Sequence, residues 1–533
     1  MSRVDCRAAA AYVFILLLAF FLIFYHLGDR LMWGDEAETA LLAVNIDKFG
    51  LPKVSDGVNT ITYMGDNIDT DNNGNWTWSP WLSEYLTAAS FKLFGQSTTV
   101  ARLPFAIAGF LSVALIAFVV YRIYGSHEIS VMSMLLLSTS EVFVLHVRQC
   151  RYYSLVIFAE IVFIWGVYML LKGRRVAGIA LAAAALTIQF YGNYIVVAGS
   201  VAAFVVLAVI SYKRYDRLWR SASAIFIFFT LTALPWIVYA RPWRQAGYAG
   251  RENIAEKVVY YLWEMNFHIV ALVIFIVPPI YILITSPNDN RQRQPADDIE
   301  MFLWILIPSV AASVSVAPGV YLRYLLPLLP AVYVLQSVIL IRYIGSKAIR
   351  YILVLTLCLT NYAAYYPLYP IKLLDPSNVP FKIHQPRLSL PTLIRETYAP
   401  YADRTGDVVR FLKKEGADGQ SVYIADSGMS LIFYNGMRVI NAKSEQIGNL
   451  KELPDWIFTE SVAVQAKKAP PIYPPKEIAD NYIPISLKVH ASGKSGSIPE
   501  PDMHESFASK DMEELLVFRK KADKVQTAVQ KKY

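Results

Sequence analysis

The sequence predicts a polytopic α-helical membrane protein of about eleven transmembrane helices, with interfacial helices in its first external loop and a soluble α/β domain at its C-terminus. Three observations lead there. The 533 residues are 55% hydrophobic and 17% charged, with a mean hydropathy of +0.37, whereas soluble domains run near 45–50% apolar and about 25% charged. The apolar residues gather in runs long enough to cross about 30 Å of hydrocarbon. Lys and Arg collect in alternate short loops, as they do when positive charge sets orientation.

The apolar runs lie near residues 9–26, 103–124, 129–146, 154–171, 176–191, 194–211, 221–239, 267–285, 301–317, 322–341 and 349–366. The stretch 176–211 is too long for one span and is read as two, with Tyr191-Gly192-Asn193-Tyr194 as the turn between them. Arg3 and Arg7 precede the first span. Lys172, Arg174 and Arg175, then Lys213, Arg214, Arg217 and Arg220, then Arg342, Lys347 and Arg350 fill the loops expected to be cytosolic. The first run is followed by no small-residue cleavage site, so an anchor is expected there rather than a signal peptide. With the N-terminus cytosolic, segment 27–102, the 240–266 loop and the C-terminus fall on the external side.

The expected domains are 1–370, holding the spans, and 371–533. The second begins with a proline-rich lead (Pro376, Pro380, Pro386, Pro391, Pro400). A helix is expected over 403–416, capped by Asp403 and stopped by Gly416. Strands are expected at 421–425, 438–441, 455–458 and 515–519, giving alternating elements.

Several classes of function drop out. Cys6, Cys150 and Cys358 are too scattered for a disulfide framework or a zinc pattern. The formal charge of +8 is what cytosolic loops accumulate, and no basic stripe with interleaved aromatics points to nucleic acid. No dinucleotide fingerprint and no phosphate loop ending in Gly-Lys-Ser/Thr occurs.

The densest polar signal is Trp33-Gly34-Asp35-Glu36-Ala37-Glu38, opening a helix that Gly50 and Pro52 end. By spacing alone, Asp35 caps that helix, and Glu36 and Glu38 complement its dipole from the surface. In context the stretch resembles the acidic first-loop motif of the GT-C superfamily of polyprenyl-phosphate-sugar-dependent glycosyltransferases, in the branch of protein O-mannosyltransferases and aminoarabinose transferases. Further matches follow in order: Trp78-Ser79-Pro80-Trp81-Leu82 entering a second interfacial helix to Phe94-Gly95, Ala101-Arg102-Leu103-Pro104, Arg148-Gln149-Cys150-Arg151-Tyr152-Tyr153, and Tyr321-Leu322-Arg323-Tyr324-Leu325-Leu326-Pro327. The resemblance covers nearly the whole chain. Each motif is short, and the specificity lies in their order and their common side of the membrane.

The resemblance implies an inverting single displacement in which Asp35 is the base, with Glu36 beside it. A carboxylate opposite the leaving phosphate can orient and deprotonate an acceptor hydroxyl. The leaving lipid phosphate needs preorganised cations, which Arg148, Arg151 and Arg323 can supply through paired donors; snorkelling to headgroups is the alternative. Tyr152 is grouped with these arginines, and Tyr324 with the pocket, although the tyrosines equally suit an interfacial belt. Glu160, inside a span, is either a functional carboxylate or a protonated or paired structural one. Glu84 and His268 could hold a divalent metal ion near the phosphate, as in some relatives. Asp69-Thr70-Asp71-Asn72-Asn73-Gly74 lacks the twelfth-position Glu of a calcium loop and reads as an Asx-rich turn, and Asn75-Trp76-Thr77 is a glycosylation triplet.

The reading is a membrane glycosyltransferase that moves a sugar from a polyprenyl-phosphate carrier to a protein, lipid or glycan acceptor. The rivals are a lipid or solute transporter without covalent chemistry and a lipid-linked glycan polymerase or ligase. A transporter predicts repeats and polar groups at the midplane, whereas here no repeat occurs and the polar candidates gather at one surface.

Overall fold

The computed structural model describes residues 3–61, 68–215, 217–248, 254–272, 294–317, 319–365, 386–399, 402–425, 428–441, 446–460, 472–490 and 512–521. It divides into two compact units. One comprises Met1–Leu27, Thr77–Leu86 and Arg102–Tyr398, and the other Gly28–Trp76, Thr87–Ala101 and Ala399–Tyr533. The expected division near residue 370 is thus corrected, because most of the first loop folds with the C-terminal segment.

In the first unit the helices are α1 (Arg3–Phe24), the start of α3 (Leu82–Phe94), α4 (Thr98–Tyr124), α5 (His127–Thr139), α6 (Glu141–Val147), α7 (Tyr153–Leu171), α8 (Arg175–Ile210), α9 (Leu218–Ala240), α10 (Ile254–His268), α11 (Pro295–Val314), a 3-10 segment Leu322–Leu328 leading into α12 (Leu329–Tyr343), α13 (Lys347–Leu359) and α14 (Ser389–Tyr398). Among the described residues six helical stretches are long and apolar enough to cross a membrane, or seven if α5 and α6 are one bent span. Those two meet at 62°. Ser140 ends one helix and caps the next, its hydroxyl accepting from the Phe143 N–H at 3.3 Å.

The 36-residue α8 is not one rod. Gln189 Nε2 and Ser200 Oγ both donate to the same Glu160 oxygen, at 2.7 and 3.0 Å. Eleven residues of straight helix would hold them about 16 Å apart along the axis. Non-helical angles at Asn193 (φ −150°, ψ 98°) make the turn. An added Cβ on Gly178, Gly166 or Gly192 would meet Leu170, Ala182 or Val156 respectively, which tracks the first half running antiparallel to α7. Beyond the turn, Ser200 returns to Glu160 and Phe204 packs on Phe163. The sequence reading of two spans with a turn at 191–194 matches this hairpin.

The remaining expected spans differ. Residues 273–285 of the eighth lie outside the described residues. Asp297, Asp298 and Glu300 fall in the first turns of α11, leaving only its later part apolar. α13 has 13 residues, about 20 Å of helix, too short for about 30 Å of hydrocarbon.

Contacts sort the spans into two ends. At one, Tyr12 meets His127, Tyr168 donates to the Arg122 carbonyl, Arg214 and Tyr215 meet Asp298, Arg342 pairs with Glu300, and Arg350 pairs with Glu128. The loops rich in Lys and Arg share this end. At the other, Arg102 donates to the Leu27 carbonyl, Asn193 meets Tyr152, and Tyr194 meets Gln245. α7 is buried on nearly every side, as befits a helix apolar all round.

In the second unit, α2 (Gly34–Phe49) ends where predicted, Gly50 taking φ 76°. A five-stranded sheet has the order β2-β1-β3-β5-β4, with β1 (Ser421–Ile424), β2 (Arg438–Asn441), β3 (Trp456–Phe458), β4 (Tyr482–His490) and β5 (Met512–Lys520). β1 runs parallel to β2 and β3, while β5 runs antiparallel to β3 and β4. α15 (Arg404–Lys414) is capped by Asp403, whose Oδ1 accepts from the Gly406 N–H at 2.6 Å; α16 is Met429–Asn435. The first loop is stitched to this part. Asn59 donates to the Met437 carbonyl at 3.1 Å and accepts from the Val439 N–H at 2.8 Å, and the Met32 N–H donates to the Tyr434 hydroxyl at 3.0 Å. Leu31 packs on the core of Val422, Trp456 and Phe458.

Asp71 organises an Asx turn, its Oδ1 accepting from the N–H groups of Asn73 and Asn75, both at 2.8 Å. The Asn75 amide donates to Asp71 Oδ2 at 2.9 Å, and the residue is buried. The triplet asparagine therefore presents no free side chain to a glycosylating enzyme.

Candidate active site

α6 and α7 are separated by Arg148-Gln149-Cys150-Arg151-Tyr152, a short link that places several polar side chains at one end of the span bundle. The 3-10 segment carrying Arg323 and Tyr324 packs against α6 and α7. The structure so brings Arg151, Tyr152, Arg323 and Tyr324 to neighbouring elements. The Arg151 guanidinium lies 5.6 Å from the Tyr152 ring centroid and that of Arg323 3.9 Å from the Tyr321 ring. Tyr321 and Tyr324 meet edge to face. Each guanidinium thus lies beside an aromatic ring, an attraction between cation and ring quadrupole that helps to fix its position.

Arg148 has a different job. Its Nη1 donates to the carbonyls of Leu22, Ile23 and Tyr25 at 2.7, 3.1 and 2.9 Å, and its Nη2 to that of His26 at 3.1 Å. These are the orphan carbonyls at the C-terminus of α1, where His26 takes the left-handed φ of 52°. The expectation of a phosphate ligand is corrected for Arg148: its donors are committed to closing a helix.

Glu84, in the first turn of α3, is 2% exposed and its Oε2 lacks a hydrogen-bond partner. Burial pushes its carboxyl up to about 7; its own backbone N–H and the nearby Arg151 charge oppose the shift. A carboxyl raised on folding binds its proton more tightly in the native state, so its stabilising contribution is full below about pH 4.5 and is lost as pH rises to about 7. The wild-type melting temperature is therefore expected to fall between pH 5 and 8 relative to Glu84→Gln, roughly that window, when both are scanned by thermal unfolding in detergent. Parallel curves would remove Glu84 as the titrating group.

The metal expectation does not fit these residues. His268 Nδ1 lies 3.1 Å from Arg387 Nη2, and since a guanidinium only donates, Nδ1 accepts. His268 Nε2 faces Glu264 at 3.5 Å. Arg387 also pairs with Glu141 at 2.7 Å. His268, Arg387 and Glu141 line a cavity of about 60 Å³ with Asn266, Tyr333 and Gln336. Glu84 is not among its lining residues, and its neighbouring charge is a cation. Among the described residues no group of three or more His, Cys, Asp or Glu is arranged to hold a metal ion.

Asp35 and Glu36 belong to the second unit. The cap of α2 is Trp33, with no side-chain cap bond, so Asp35 is a second-position helical residue rather than the cap. Asp35 is half-buried, while Glu36 and Glu38 are buried, at 0% and 6% exposure. This excludes the reading of Glu36 and Glu38 as surface charges.

Glu160 is fully buried, bonded to Gln189 and Ser200. Those partners were not singled out from sequence, and Asn193, which donates to the Tyr152 hydroxyl at 3.4 Å, was read only as part of the turn. A glutamine inside an apolar run is the one signal that could have found Gln189. Nothing in the sequence links Arg387 to Glu141.

Residues 79–239, under a third of the chain, match the family described as dolichyl-phosphate-mannose-protein mannosyltransferase. A comparison with curated proteins finds no match. The structure resembles that of ArnT from Cupriavidus metallidurans bound to undecaprenyl phosphate, with a TM-score of 0.57 at 13% identity, covering 96% of this chain and 97% of that one. It also resembles the same protein in the apo state, with a TM-score of 0.52 at 14% identity, covering 83% and 86%. The chain therefore shares its fold with ArnT and, over residues 79–239, resembles the mannosyltransferase family, as its ordered motifs lead one to expect.

Proposed function

We propose that the protein is an extracytoplasmic-facing membrane glycosyltransferase that takes a sugar from a polyprenyl-phosphate carrier and passes it to a protein, lipid or glycan acceptor by inverting displacement. The observation that carries this reading is the pairing of Arg151 and Arg323 on adjacent elements at one end of the bundle, in a chain whose fold is that of a protein crystallised with undecaprenyl phosphate. Their guanidinium forks suit the two non-bridging oxygens of a phosphodiester that gains charge and becomes a monoester as the sugar carbon–oxygen bond breaks. Tyr152 and Tyr321 set their rings against the two guanidinium groups, and Tyr324 meets Tyr321 edge to face. Asp35 takes the acceptor proton and Glu36 supports it. No step is assigned to a metal ion.

The test is transfer of radiolabelled sugar from polyprenyl-phosphate donors in membranes holding the wild-type chain. Arg151→Ala and Arg323→Ala are each expected to lower kcat/KM by about 10²-fold, the loss of one charge-assisted contact to the leaving group. Unchanged transfer in both variants would remove the arginines from the reaction. Absence of transfer with every donor, beside measurable translocation of a lipid or solute, would replace the transferase with a transporter.

A further inference from the structure

Glu160 is buried at the middle of the α7–α8 assembly and takes no part in the chemistry proposed above. Its Oε2 accepts from Gln189 Nε2 at 2.7 Å and from Ser200 Oγ at 3.0 Å. Two oxygens beside this bond are buried without a hydrogen-bond partner, namely Glu160 Oε1 and Gln189 Oε1. Both residues are 0% exposed. Among the described residues no Lys, Arg or His pairs with Glu160.

An ionised carboxylate only accepts, and so does the amide oxygen of glutamine. Leaving one of each unmet, with a full negative charge and no counterion among the described residues, is costly inside a membrane-spanning helix. A single proton removes all three deficits. A carboxylic acid facing a primary amide closes a ring of two hydrogen bonds, N–H to the acid oxygen and O–H to the amide oxygen. The 2.7 Å bond from Gln189 is one half of that ring.

We propose that Glu160 is a neutral carboxylic acid that closes this two-bond ring with Gln189 and, with Ser200 on the same acid, acts as the positioning residue that clips both arms of the α8 hairpin to α7. Gln189 lies on the arm before the turn and Ser200 on the arm after it. The clip fixes the turn at Asn193, whose amide donates to the Tyr152 hydroxyl beside Arg151. It sets the donor-phosphate residues from about one helical turn away on the first arm and about two on the second, without touching the substrate itself. Only this last consequence rests on the transferase reading; the clip stands on the hydrogen bonds alone.

The test combines infrared spectroscopy with substitution in the full chain. The wild-type minus Glu160→Gln difference spectrum at neutral pH is expected to show a protonated-carboxyl C=O band, shifted by deuteration. Glutamine at 160 can close the same ring amide to amide, so Glu160→Gln is expected to keep its melting temperature and to transfer sugar within about twofold of wild type. Glu160→Ala and Gln189→Leu are expected to melt lower and to raise the KM for donor about tenfold, the equivalent of one lost buried hydrogen-bonded contact. Absence of the acid band, or a Glu160→Gln chain that behaves like Glu160→Ala, overturns the clip. A stable Glu160→Gln chain that shows the band difference but no transfer also overturns the positioning role, since Glu160 would then be moving a proton. If wild type itself transfers nothing, the proposed function fails, while the band and the melting temperatures still decide the clip.

Discussion

Asp35→Asn membranes are expected to transfer sugar about 10²–10⁴-fold more slowly than wild type at matched expression, the usual worth of a general base. The substitution keeps the start of α2. Trp33, not Asp35, caps α2, and the bond that Thr39 Oγ1 makes at 3.1 Å goes to the Asp35 backbone carbonyl, which the substitution keeps. Asparagine keeps the size of the side chain and removes its charge, whose dipole contribution near a helix start is about 0.3–1 kcal/mol. A variant that keeps turnover within a few-fold, roughly the scale of a dipole effect, would take the base role away from Asp35. Glu36, buried one residue on, would then be the next carboxylate to replace.

Arg148→Ala is expected to act through the fold. Four carbonyls at the end of α1 share its guanidinium, and removing a charged donor from several acceptors costs about 2–3 kcal/mol. The part of the site open to water brings the figure toward the lower end. Thermal unfolding in detergent should show the loss, and the surviving folded fraction should keep its KM for donor within about twofold, because no ligand contact is deleted. Arg148→Lys offers one ammonium where a fork spanned four carbonyls, so it should recover only part of the stability. A variant of normal melting temperature with a raised KM would return Arg148 to the phosphate.

These two arginine outcomes mark where sequence stopped being legible. At the end of a span, a guanidinium aimed at a phosphate and one aimed at helix carbonyls have the same letters around them; Arg148 and Arg151 stand three residues apart with opposite assignments. The six or seven spans among the described residues were legible because hydrophobic length is a property of contiguous residues. So was the hairpin turn at 191–194, since a run of that length had to break and the cluster with Gly192 and Asn193 stood near its middle. The Glu160 partners were not, because Gln189 and Ser200 meet only after the chain reverses. β4 escaped notice because Pro484 interrupts an otherwise alternating Ile483, Ile485, Leu487, Val489; the strand lies at the edge of the sheet, where a missing N–H is tolerated. The division into units escaped for a related reason, resting on single contacts such as Asn59 with Met437.

Those contacts join residues 378 positions apart. At roughly 5–20 residues per second, a ribosome needs on the order of 20–80 s to supply the partner once Asn59 has been made. During that interval the first loop carries α2 and its acidic motif without the sheet that later covers Leu31. The protein's assembly is consequently ordered in time: its N-terminal loop matures last, together with the end of the chain. A ribosome that stalls anywhere before residue 437 leaves that loop unfinished, however well the spans behind it have been inserted.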